Sequence, residues 1–361
     1  MDEKTEKVLI AIKPLEPYFF GSERIFAYPD GPPNQQQTGG YFVTSKDLPG
    51  QSTIFGAVRY LGLPVVRQDY NYSHDELEQN RAAVGESFNI ADESQAFGGI
   101  ISVSPLFLFR NGEMAFPVPL NHKPQCEAGC DDHLSYMPFA RYSGVVRTHR
   151  GGQILPLDYD AKANMPEGFV GASGRILKQR EIIGSQERPG VNRERNQEGG
   201  YFKKVFKILR DGWAFAVVVK AKEGIFSSKN TIVQMGLGKN AFAVTISNDI
   251  PDWEGAISSM LSANTLEIAY AASDLYTSAD IYEDCLFAVT SLAEYRPFIT
   301  SFAAQKPGLR VEKQMSLYHF IRAGSVFILK SGAKERFEKR LHKVNAQAIG
   351  YNQIIYGGKK T

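Results

Sequence analysis

Leu48-Pro49-Gly50-Gln51-Ser52-Thr53-Ile54-Phe55-Gly56-Ala57-Val58-Arg59-Tyr60-Leu61 is the stretch on which the reading of this chain turns. Pro49-Gly50 marks a turn. Ser52 or Thr53 then offers an N-cap oxygen for a helix starting there. Ile54, Val58 and Leu61 follow at helical spacing and predict one buried stripe. Gly56 falls mid-helix, where it costs about 1 kcal/mol against alanine. A glycine kept there predicts close approach of another backbone. A helix start leaves free N–H groups and a positive dipole end that suit an anion such as phosphate, with Arg59 further along the helix. A plain packed helix after a turn fits the same residue types.

Outward from this stretch, the bulk properties bound the answer. The chain has 361 residues, 43% hydrophobic and 22% charged, which predicts a globular protein with room for two domains. No run of apolar residues is long enough for a membrane span. Met1-Asp2-Glu3-Lys4 opens without an apolar core, so no secretory signal is expected. Three cysteines argue for a reducing compartment, and the cytoplasm is the expected location.

Net charge is only +2, but it is unevenly placed. Residues 171–210 carry ten Lys/Arg against four Glu, and residues 330–361 carry eight against two, so each segment is +6. Two basic segments on an acidic body suggest a polyanion groove, although two solvated faces fit as well. Residues 64–97 are the reverse, with Asp69, Asp75, Glu76, Glu78, Glu86, Asp92 and Glu93 against Arg67 and Arg81. They read as a surface insertion facing water or a basic protein.

In chain order, Val8–Ile12 predicts a buried strand, and a Pro/Gly/Gln-rich loop spans residues 28–40. Residues 100–110 and 113–118 predict strands joined at Asn111-Gly112, a strong hairpin signal. With the preceding strand and helix, that order fits the start of a ferredoxin-like unit. His122, Cys126, Cys130 and His133 form a nitrogen–sulfur set with which zinc binding is possible, at an uncommon spacing. Residues 134–200 are rich in Gly, Arg, Asn, Gln and Pro. Arg188-Pro189-Gly190-Val191-Asn192-Arg193-Glu194-Arg195 sits within them, ahead of Glu198-Gly199-Gly200-Tyr201-Phe202. A second domain is expected from about Asn230, with a glycine loop at 236–238. Phe337–Ile349 predicts a basic amphipathic helix. P-loop, dinucleotide, zinc-protease and nucleophile-elbow motifs are all missing from the sequence.

Several of these pieces resemble one family. A short strand, a loop ending in P-x-Q-S-T and a G-A-x-R helix resemble the first strand–helix unit of RAMP proteins, the RNA-binding subunits of CRISPR effector complexes. Pro14-Leu15, Phe19-Phe20 and Arg24 resemble the family's first loop. Arg188, Gly190, Val191, Glu198, Gly199 and Tyr201-Phe202 resemble the root of its extended hairpin, the thumb. His319–Leu329 resembles its V-P-A-G-S-V element, with Arg322 in place of proline, and Gly350–Gly357 its C-terminal ending. The chain is most similar to the third subunit of Cmr-type (type III-B) complexes.

The resemblance implies an α+β fold of two ferredoxin-like (RRM-like) domains with an extended hairpin insertion. The first would cover 1–225, with insertions at 64–97 and 121–200, and the second 230–361. It implies a non-catalytic subunit that holds the 5′ handle of the guide (crRNA). Its partners would be the large polymerase/cyclase-like subunit and the backbone RAMP subunits, with target RNA met indirectly and no membrane. The residues assigned to RNA are Arg24, Ser52, Thr53, Gly56, Arg59, Arg188, Gly190, Arg193, Arg195, Lys203, Lys204 and Lys239. No cofactor is expected beyond the possible zinc. The alternative is a metal-independent, crRNA-processing endoribonuclease. For that activity His149, between Arg147 and Arg150, is the candidate acid–base group.

Overall fold

The structure, a computed structural model, describes residues 4–25, 41–67, 69, 71–123, 133–141, 154–157, 165–191, 201–210, 212–226, 230–236, 239–264, 266–295, 298–302, 309–313 and 317–358. The first half holds β1 (Thr5–Pro14), β2 (Gly21–Ile25), β3 (Tyr41–Ser45), α1 (Gln51–Leu61), α2 (His74–Val84), β4 (Ile100–Val103), β5 (Phe107–Arg110), β6 (Glu113–Pro117), β7 (Phe139–Arg141), β8 (Ile154–Pro156), β9 (Phe169–Gly171) and β10 (Ile176–Leu177). The chain continues with α3 (Gln179–Ile182), β11 (Ile183–Val191), β12 (Tyr201–Leu209), β13 (Ala214–Lys222), β14 (Asn230–Met235), β15 (Asn240–Ser247), α4 (Trp253–Leu261) and β16 (Ile268–Ala271). It ends with β17 (Cys285–Val289), β18 (Leu292–Tyr295), β19 (Phe298–Phe302), β20 (Leu309–Lys313), β21 (Tyr318–Ile321), β22 (Val326–Leu329), α5 (Lys334–Leu341), α6 (Val344–Ala348) and β23 (Ile354–Gly357). Among the described residues no helix is long and apolar enough to cross a membrane.

The architecture is α+β, dominated by antiparallel sheets with few helices. A nine-stranded sheet runs β10-β9-β6-β5-β13-β1-β15-β14, with β4 also on β13. β14 and β15 pair into the same sheet as β1, so residues on both sides of the expected 225/230 boundary share one hydrogen-bonded layer. A second sheet, β17-β22-β16-β23, packs behind it, and a third, β11-β12-β3-β2, joins the segment after β1 through a Tyr18–Lys207 bridge. The predicted hairpin forms at Asn111-Gly112, both with positive φ, where a two-residue primed turn requires it.

Alternation along the central strands dictates the layering. Ile10, Ile12, Phe215, Val217 and Val219 pack with Ile54 and Val58 of α1 on one face. Leu9, Ala216, Val218 and Phe116 pack on the other with Ile257 and Leu261 of α4 and Tyr270 and Val326 of the second sheet. The far side of that second sheet, including Ala271, Phe327 and Leu329, is covered by Phe337 and Leu341 of α5. The predicted basic helix is therefore two pieces, α5 and α6, because the backbone turns extended at His342 and Lys343.

The acidic insertion is more than a solvated flap. Ser73 caps α2 in a reciprocal box with Glu76, while Asn80, Val84, Phe88, Ile90 and Phe97 are buried. Arg67 chelates Glu76 and holds its carboxyl down at about 2. The insertion is thus a lid on α1, with its acids turned to solvent, to local arginines or, for Glu93, to Lys343.

Candidate nucleic-acid interface

The expected thumb is present as a β-hairpin. β11 and β12 pair from Ile183↔Leu209 to Val191↔Tyr201, and residues 192–200 between them lie outside the described residues. Arg188-Pro189-Gly190-Val191 is therefore strand, not loop as its glycine and proline suggested. Pro189 is tolerated because β11 is an edge strand. Directly opposed residues of an antiparallel pair share a face. Arg188 opposes Lys204, and Gln186 opposes Phe206. The Arg188 guanidinium lies 4.5 Å over the Phe206 ring and donates to Gln186 Oε1 at 3.2 Å. The Lys204 ammonium sits 5.8 Å from the Phe19 ring, and the Phe19 and Phe206 rings are 5.4 Å apart. The result is a cation-and-aromatic face, with Arg188 exposed upon it.

The opposite face is an anchor. Lys203 is ion-paired with Glu187, and Lys207 pairs with Asp47 at 2.8 Å. Gln179 donates to that same Asp47, and the Tyr18 hydroxyl donates to its carbonyl at 2.6 Å. Burial pushes the Tyr18 phenol far above its usual range, so it stays a donor at any ordinary pH.

The turn before β15 abuts the aromatic face. Gly236 has φ +75°, and a Cβ there would lie 2.8 Å from the Phe19 carbonyl. This glycine is needed for packing against its own chain. Asn240 completes the junction by accepting from the Phe19 N–H at 3.0 Å, and Lys239 stands exposed beside it with φ +48°. Arg24 lies on β2, in register with Val43, which is in turn in register with Lys204. Arg188, Lys204, Val43 and Arg24 thus form one row across the third sheet.

Helix α1 departs from expectation at three points. Its N-cap is Gly50, and no side chain caps it. Gln51 instead turns inward, donating to the carbonyls of Ser104 and Ile349 and accepting from the Leu106 N–H, which ties α1 to both halves of the fold. Gly56 is exposed and has no atom of this chain within 4 Å of an added Cβ, so nothing here explains it as an internal close contact. Arg59 is buried. It donates to the carbonyls of Val84 and Gly85 and to Ser87 Oγ, satisfying the end of α2. Burial lowers its pKa to about 10, and it remains charged at neutral pH. Its role is structural, and it leaves the set of surface cations assigned to RNA. Ser52 and Thr53 stay part-exposed, with the Ser52 N–H donating to the Tyr351 hydroxyl at 3.3 Å.

Of the remaining candidates, Cys126, Cys130, His149, Arg193 and Arg195 lie outside the described residues. His122 is buried with Nδ1 2.8 Å from the Ser135 carbonyl, and His133 forms a backbone bridge with Arg175. Sequence reasoning missed Phe206, whose signal was its alternation with Lys204 along one strand. It noted Phe19 but assigned it no role.

The family profile described as CRISPR-associated protein (Cas_Cmr3) matches residues 10–359. No curated protein matches the chain. Among solved structures, the chain is similar to a component of a cryo-EM structure of the Type III-B Cmr-beta bound to cognate target RNA, at 15% identity over 97% of this chain and 96% of that one, TM-score 0.45. It is also similar to a component of the Csm3-Csm4 subcomplex of the type III-A CRISPR-Cas interference complex, at 11% identity over 90% and 94%, TM-score 0.39.

Proposed function

The chain belongs to the Cas_Cmr3 family of CRISPR-associated proteins, and from that premise we infer that it is a non-catalytic, guide-RNA-binding subunit of a type III effector complex. It holds the 5′ handle of the guide and contacts the large subunit and the backbone subunits. The observation that carries this reading is the β11–β12 face. Arginine meets phosphate bidentately and stacks on bases, and aromatic rings stack unpaired bases. Arg188 and Lys204 offer the first and the part-exposed Phe206 ring the second, with the buried Phe19 ring packed behind it. The exposed Lys239 adds a cation beside it, and the register row from Arg188 through Lys204 and Val43 ends at Arg24.

The test uses a labelled handle-containing RNA and the full chain. The wild type binds and does not cut, with or without metal. Arg188→Ala with Phe206→Ala weakens binding, while circular dichroism is unchanged. Cleavage that disappears in His149→Ala would overturn the non-catalytic assignment. Wild-type affinity in the double variant would move the RNA site elsewhere.

A further inference from the structure

Where the segment entering α1 meets the C-terminal half, one carboxylate lies among cations and aromatic rings. Asp274, just after β16, is part-buried, and its Oδ1 accepts from the Ala323 N–H at 2.8 Å. Its own carbonyl accepts from the Asn352 N–H at 3.1 Å, which fixes the backbone. The cations acting on this carboxylate are Arg322 and Lys46, both exposed, and neither closes an ion pair with it among the described residues. Lys46 Nζ also reaches the Glu294 carbonyl at 3.4 Å. Nearby stand the buried Tyr351, on which Asp274 acts, Ser52 at the start of α1, whose N–H donates to the Tyr351 hydroxyl, and Tyr295 stacked 4.7 Å from Phe320.

Asp274 is costly where it stands. Burial raises its carboxyl above the ordinary 3.8, and this outweighs the Ala323 N–H and the two cations. Asparagine would make the same bond to Ala323 without that cost. Among the described residues no hydrogen bond or ion pair takes up the second carboxylate oxygen.

We propose that Asp274 reads the base of one unpaired RNA nucleotide, accepting from the donor edge of guanine while Lys46 and Arg322 hold that nucleotide's phosphates. A carboxylate only accepts, and guanine alone presents two adjacent donors, N1–H and N2–H, on its Watson–Crick edge. Uracil presents one donor between two carbonyls that repel the carboxylate. The proposal deepens the RNA-binding reading above and rests on it.

The experiment is fluorescence anisotropy of the full chain with a ten-nucleotide oligouridine and with the same oligomer carrying one guanosine at each position. In the wild type, guanosine at one position tightens binding roughly 10-fold, the order of one good base pair of hydrogen bonds. Asp274→Asn abolishes that gain and leaves oligouridine affinity unchanged. Lys46→Ala weakens every oligomer alike and keeps the preference. A guanosine gain that persists in Asp274→Asn, or uniform tightening of all RNAs by that variant, would overturn the proposal. A wild type that binds RNA with no guanosine preference sinks this proposal alone. A wild type that binds none of the RNAs sinks the reading beneath it.

Discussion

Residues 171–210 and 330–361 carry the same net charge of +6, and the fold uses their cations differently. In the first, Arg188 and Lys204 lie against aromatic rings on one hairpin face. In the second, five of the described cations are held by partners of this chain. Arg336 and Arg340 close on the buried carboxylate of Asp284 at 3.0 and 2.9 Å, and Arg340 also meets Glu283 at 2.7 Å. Lys330 donates to the Glu283 carbonyl, Lys334 sits near Glu338 and over the Tyr356 ring, and Lys343 reaches Glu93 in the acidic insertion. Formal charge along a segment therefore says little about the field it presents. What matters is which acids fold back onto it.

The largest effect expected from breaking this contrast is on stability. Arg336→Ala with Arg340→Ala leaves Asp284 buried and unpaired, which costs about 3 kcal/mol. Urea denaturation should show it, with RNA affinity within about twofold of wild type once the variant is folded. Next comes Arg188→Ala with Lys204→Ala. Two charged contacts at about 1–1.5 kcal/mol each predict RNA binding weaker by roughly 30- to 150-fold. Unfolding free energy should move by less than about 0.5 kcal/mol, because exposed cations contribute little to folding. Equal loss of RNA affinity in both double variants would erase the distinction between the segments.

Salt dependence sharpens it. Each phosphate contact on a single strand contributes about −0.7 to the log–log slope. The hairpin variant should therefore flatten the slope by about 1.4, and the C-terminal variant should leave it as it was. The smallest effect concerns Asp274, which, unlike Asp284, lacks an ion pair among the described residues. Its folded pKa is raised, so the native state holds the proton longer, and stability falls as pH rises from the ordinary 3.8 upward. Asp274→Asn should raise the melting temperature at pH 7. The gain should vanish below about pH 4, where the carboxyl is protonated in both states.

Much of the fold was legible because its signals are local. Asn111-Gly112 encodes a turn that two residues suffice to make. Ile54 and Val58 mark the buried face of α1 by spacing alone. The hairpin at 183–209 was legible only through resemblance, since Pro189 and Gly190 read locally as loop. The candidate interface was half legible. Arg188, Lys204 and Lys239 carry charge that any reading notices. Phe206 became part of it only when Phe19, remote in sequence, came to lie 5.4 Å away.

Local sequence by itself determined the hairpin turn, the strand alternation that buries both faces of the large sheet, the helical stripe of α1 and the capping box of α2. Each depends on a few neighbouring residues and on backbone preferences that those residues set. Tertiary structure alone decided that Arg59 points inward to the end of α2, that Gly56 faces open space, and that β14 and β15 join β1. It also decided that Arg336, Arg340 and Lys343 of the second basic segment meet acids from elsewhere in the chain. These outcomes depend on pairs far apart in the chain, such as Arg340 with Glu283, 57 positions away, and Gln51 with Ile349, 298 away. An arginine's side chain is the same in either setting. Whether it meets a carbonyl, a carboxylate or a phosphate depends on what the rest of the chain brings within about 3 Å of it.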